Sequence, residues 1–108
     1  MRYYTLLAFL AATSLSAGDD VPGDSQKIIQ KNREFSETEI TIKPGEKVVF
    51  KNTDDVTHNV FSNSKVNPFT IKIQAPGSSS VVAFPDEGVT DVRCAIHPKM
   101  KLKVIVKK

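Results

Sequence analysis

The run that closes the chain, KLKVIVKK, alternates Leu102, Val104 and Val106 against Lys101, Lys103, Ile105 and Lys107. A period of two is the mark of a half-buried β-strand. The same signal recurs upstream. EITIK places Ile40 and Ile42 on one face and runs into the turn Pro44-Gly45. KVVFKN pairs Val48 with Phe50, FTIKIQ pairs Ile71 with Ile73, and VTDVRC puts Val92 and Cys94 on one face. KIIQK, HNVFS and VVAF read as further strands, separated by the breakers TDDVT, APGSSS and PDEG. Past the first 18 residues, no stretch keeps helical spacing for more than two turns. Seven or eight short strands with frequent turns predict an all-β Greek-key sandwich with one core.

The opening segment follows other rules. MRYYTLLAFLAATSLSAG begins with a positive charge at Arg2, continues through an apolar run from Leu6 to Ala12 and ends in small residues. That layout is a secretory signal peptide over residues 1–18, cleaved between Ser16 and Gly18. The apolar run is far shorter than the roughly 20 residues of a spanning helix. A polar lead-in at 19–26 precedes the domain at 27–108. With Arg2 gone, 14 of the 15 Lys and Arg remain against 12 Asp and Glu. So mild an excess of positive charge gives no footprint for nucleic acid.

Export makes the cysteine count informative. Small exported domains usually carry paired cysteines, and this chain has only Cys94. Such a thiol is buried and inert, joined to another molecule, or bound to a metal. Its neighbours favour the last. In RCAIHPKMK, Cys94, His97 and Met100 form C-x2-H-x2-M, and the other histidine, His58, opens a strand 36 residues earlier. A strand start and a strand end can meet at one pole of a small sandwich.

Each residue alone has a plain reading: a core cysteine, a surface histidine, a core-filling methionine. Together, two imidazoles, a thiolate and a weak axial thioether describe a mononuclear blue-copper electron-transfer site. Zinc could occupy the same set, but structural zinc sites more often use several cysteines and need no methionine. A Cys–His nucleophile is the catalytic alternative. It is disfavoured because no Asp or Asn is evidently placed to orient His97 and no glycine turn surrounds Cys94. The chain therefore reads as a non-enzyme.

These stretches resemble a known family. IKPGEKVVFKNTDDVTHNVFS is similar to the cupredoxin segment that leads into the first copper histidine, and DVRCAIHPKM to the loop bearing the other ligands. The loop spacing looks like that of the amicyanins, within the plastocyanin-like group. The resemblance implies one copper, cycling between Cu(I) and Cu(II), held by His58, Cys94, His97 and Met100. It implies a soluble, monomeric, periplasmic one-electron carrier working between a redox donor and acceptor. Asn59 would tie the two copper loops together. Because Ala95 replaces the hydroxyl residue often found after the cysteine, that tie would have to use backbone groups. Val92 stands where an aromatic is common. His97 would be the electron exit, surrounded by Pro98, Ala95, Ile96 and Val56.

Lys65, Lys99, Lys101 and Lys103 could form a basic rim that steers an acidic partner. The simpler reading is a solvated strand face that discourages edge-to-edge aggregation. Two other functions fit the same residues: a periplasmic copper carrier that hands over the ion itself, and a metal-free binding module on the same sandwich.

Overall fold

The computed structural model describes residues 25–108. The expected signal peptide and most of the lead-in lie outside the described residues. Nine strands follow in chain order: β1 (Ser25–Lys31), β2 (Glu34–Phe35), β3 (Glu39–Ile42), β4 (Lys47–Asn52), β5 (His58–Ser62), β6 (Phe69–Gln74), β7 (Ser79–Ala83), β8 (Gly88–Arg93) and β9 (Lys101–Val106). They form a four-stranded sheet, β2-β1-β4-β7, and a five-stranded sheet, β3-β9-β8-β5-β6. β1 runs parallel to β4 and β3 parallel to β9, while the other pairs are antiparallel. Among the described residues no helix is long and apolar enough to cross a membrane.

All eight anticipated strands are present, and all but β6 keep the pattern that predicted them. Ile40 and Ile42, Val48 and Phe50, and Leu102, Val104 and Val106 all face one buried core. Phe50 lies near its centre, 6.1 Å from the Phe35 ring and 6.0 Å from that of Phe69, which in turn lies 5.8 Å from Phe84. Pro44-Gly45 makes the expected turn. Gly45 has φ of 88° and the Glu46 amide donates to the Lys43 carbonyl at 3.0 Å, as a type II turn requires.

Three details correct the sequence reading. β1 begins at Ser25, inside the stretch expected to be lead-in. A ninth strand, β2, folds back on β1 through the two-residue loop Asn32-Arg33. Both loop residues have positive φ, 55° and 58°, the signature of a type I′ hairpin turn. The pairing of Ile71 with Ile73 on the core face also fails. Ile71 packs on the core, whereas Ile73 is 78% exposed. Between His58↔Gln74 and Val60↔Ile71 the register slips, so β6 spends three residues where β5 spends two. The extra residue is a bulge. It turns Ile73 outward and brings Gln74 into the interior beside His58.

Candidate metal centre

The site is assembled at one pole of the sandwich by two loops. The first joins β4 to β5 and is held in shape by a buried amide. Asn52 donates through Nδ2 to the carbonyls of Val56 and Gln74, each at 2.9 Å, and its Oδ1 accepts the Asp54 amide at 2.9 Å. Gln74, carried inward by the bulge, donates to the Phe50 carbonyl at 2.9 Å. These bonds fix where the loop ends and where His58 begins β5. The second loop joins β8 to β9. It leaves β8 just before Cys94 and closes with a turn in which the Met100 amide donates to the His97 carbonyl at 2.9 Å.

A direct bond joins the start of β5 to the second loop: the Ala95 amide donates to Asn59 Oδ1 at 2.8 Å. This is the tie expected of Asn59, and it uses the backbone of residue 95 because an alanine side chain offers no donor.

The geometry at the pole brings the soft donors together. Cys94 Sγ lies 3.8 Å from His58 Nδ1, and His97 Nδ1 lies 3.1 Å from the same atom. One donor atom from each of the three residues falls within 4.8 Å of the others. Cys94 is free and 1% exposed, His58 is fully buried, and His97 is half-buried. Met100 is buried in the same core cluster as Cys94. Bonds of about 2.0 Å to imidazole nitrogen and 2.3 Å to thiolate sulfur would let one ion reach all three donors at these separations. The donor set therefore fits a thiophilic metal.

Sequence reasoning missed a fifth participant. The far nitrogen of His58, Nε2, meets Asp54 Oδ2 at 2.8 Å. Asp54 also accepts the backbone amides of Asn32 and Arg33, at 3.0 and 2.9 Å, from the tip of the β1–β2 hairpin. Burial pushes its carboxyl upward. The Arg33 amide, the hydrogen bond from the His58 ring and the Asn32 amide outweigh this and hold the pKa at about 2. An ionised Asp54 keeps the His58 proton on Nε2, which leaves Nδ1 with its lone pair turned toward Cys94. An acid four residues before a histidine in a tight loop was the available signal. It is easily lost inside TDDVT, which reads only as a turn.

Asp54 also qualifies the argument against thiol catalysis, since it does orient a histidine, though His58 rather than His97. Cys94, His58 and Asp54 thus stand in a line like a nucleophile, base and orienting acid. Cys94 is only 1% exposed, however, and presents almost no surface to a substrate.

Around the pole, Ala95, Ile96 and Pro98 are exposed and Val56 is half-buried. A groove of about 270 Å³ runs between the ligand loop, at Ile96 to Lys99, and the hairpin tip at Asn32 to Glu34.

A two-sheet Greek-key sandwich with two imidazoles and a lone thiol converging at one pole defines a mononuclear soft-metal protein. The comparisons make the class specific. The profile of the copper binding proteins of the plastocyanin/azurin family matches residues 24–107, and the chain belongs to that family. It is 32% identical over 108 residues to amicyanin-alpha of Methylorubrum extorquens, covering 95% of this chain and 89% of that protein. It is 30% identical to amicyanin of Paracoccus versutus over 93 residues, covering 83% of this chain and 70% of that protein. The crystal structure of the Paracoccus versutus amicyanin superposes with a TM-score of 0.73 at 30% identity, covering 82% of this chain and 86% of that one. The purple cupredoxin of Nitrosopumilus maritimus shares the fold, with a TM-score of 0.69 at 24% identity over 76% of this chain and 99% of its own.

Proposed function

We propose that this protein is a one-electron carrier that works in the periplasm, as a monomer, between redox partners. One copper ion would be held by His58, Cys94 and His97, with Met100 as a weaker fourth donor. The observation that carries this reading is the convergence of both histidines and the only cysteine within 4.8 Å, in a chain that belongs to a copper-binding family. Copper bound there supplies a centre that changes by one electron between Cu(I) and Cu(II).

The protein's own residues make that change cheap. Asp54 and Asn59 fix both loops before any ion arrives, so the donors need not rearrange between oxidation states. The core encloses Cys94 and His58 and excludes water and foreign thiols from the sulfur. His97 alone reaches toward solvent, among exposed apolar residues, and that makes its ring edge the exit for the electron. No bond is made or broken in a substrate. Residues 1–18 would direct export and be removed on translocation.

Titration of the purified metal-free protein with Cu(II) tests the reading. An intense visible thiolate-to-copper band with reversible one-electron voltammetry is expected, and Cys94→Ser should abolish the band. A wild-type protein that yields its copper rapidly to a competing chelator and shows no reversible wave would instead be a carrier of the ion. One that leaves a free, titratable thiol after copper addition would be a metal-free module.

A further inference from the structure

The lysines next to the ligand loop do not guard a sheet edge. β8 and β9 are both interior in the order β3-β9-β8-β5-β6, whereas charges that deter aggregation belong on edge strands. Their arrangement also has a cost. On the outer face of this sheet, Arg93 of β8 stands directly opposite Lys101 of β9, and like charges opposed in an antiparallel pair are destabilising. Lys103 lies one step further along the same face and Lys99 sits in the loop just before it, all four side chains being exposed. The acidic groups on the face are Asp91 and Glu39, both opposite Lys103. None of the four cations makes an ion pair among the described residues. Two grooves, of about 460 and 410 Å³, meet at Arg93 and Asp91. The first is floored by half-buried Phe61, which pairs with Arg93, and the second is rimmed by Lys99, Lys101 and Lys103.

We propose that this face is a docking surface for an acidic protein, whose carboxylates neutralise the Arg93–Lys101 pair. Unpaired cations opposed on a solvated strand destabilise the free protein, and an anionic partner relieves that repulsion. Arg93 presents a fork suited to a carboxylate, and the lysines supply long-range attraction. The residue after Arg93 is Cys94, so a partner seated here lies one residue from the thiolate, on a face distinct from the apolar rim of His97. The identity of that partner as a redox protein rests on the electron-carrier reading above. The docking surface itself does not.

The test is a titration of the isotopically labelled protein, metal-free and Cu(I)-loaded, with a hexaglutamate peptide, read by amide chemical shifts. At low ionic strength the shifts should cluster at Phe61, Arg93 and residues 99 to 103. The double variant Arg93→Gln/Lys101→Gln should weaken binding at least tenfold and melt higher than wild type, because the repulsion is gone. The control Lys27→Gln/Lys31→Gln, on the other sheet, should bind as wild type. Shifts spread over all lysines, or equal loss in the control, would overturn the proposal, as would tighter binding of a ten-residue oligothymidylate than of the peptide. The metal-free arm keeps this outcome independent of the copper reading, which stands or falls on the visible band.

Discussion

His58 is fully buried, yet each of its ring nitrogens has a defined role: Nε2 toward Asp54, Nδ1 toward Cys94 and His97. Removing the carboxylate leaves Nε2 and two hairpin amides without their acceptor inside the protein. Asp54→Ala should therefore cost about 1–3 kcal/mol, measured by urea unfolding of the metal-free protein. The pH dependence has a definite sign. The Asp54 pKa is lowered from 3.8 to about 2, so its stabilisation is complete above the unfolded value and is lost as pH falls through the folded one. The stability gap between wild type and Asp54→Asn should shrink as pH falls from about 4 toward 2. A gap that widened over that range would sink this account. Met100 separates packing from ligation. Met100→Leu conserves volume in the core and should cost less than about 1.5 kcal/mol, while copper stays bound and the reduction potential shifts. Complete loss of copper affinity in that variant would show that the thioether is no weak fourth donor.

Strands carry these residues, and the places where strands depart from regularity decide the site. Gly88 starts β8 with φ of 139°, and a Cβ built there would lie 3.0 Å from the Val66 side chain. Gly88→Ala combines a backbone conformation foreign to L-residues with a close contact, so a loss of about 1–3 kcal/mol is expected. The double variant Gly88→Ala/Val66→Ala should recover the part due to contact and leave the part due to φ. Full recovery would remove backbone strain from the explanation. The alternating strands were legible because their inner residues repeat every two positions. The bulge in β6 was not, since KIQ carries nothing that marks an inserted residue, and the burial of Gln74 depends on its pairing with β5. The β1–β2 hairpin was equally hidden. Its turn uses Asn32-Arg33 where a glycine would have announced positive φ, and its conformation is supported from a distance by the Asp54 carboxylate.

At the scale of the whole molecule, chemistry was easier to read than placement. The rarity of Cys, His and Met in this chain pointed to His58, Cys94, His97 and Met100 together, and the fold brings the first three within reach of one another. What composition could not supply was the support beneath them, which runs through ordinary residues such as Asn52, Asp54 and Gln74. That support continues into the core. The Phe50 carbonyl accepts Gln74 Nε2, and its ring stands between Phe35 on one sheet and Phe69 on the other. Phe50→Ala should therefore lose about 3–5 kcal/mol, a large share of the roughly 5–15 kcal/mol that holds such a domain folded. Because copper would bind the folded chain in preference to the unfolded one, free copper at 100 times its dissociation constant should return about 2.7 kcal/mol. Urea unfolding of Phe50→Ala should accordingly show a low midpoint without metal and a clear recovery with it. Cys94→Ser in the same background should show no recovery. If copper restored both variants equally, its stabilisation would come from somewhere other than this pole, and the coupling drawn here between core and site would be wrong.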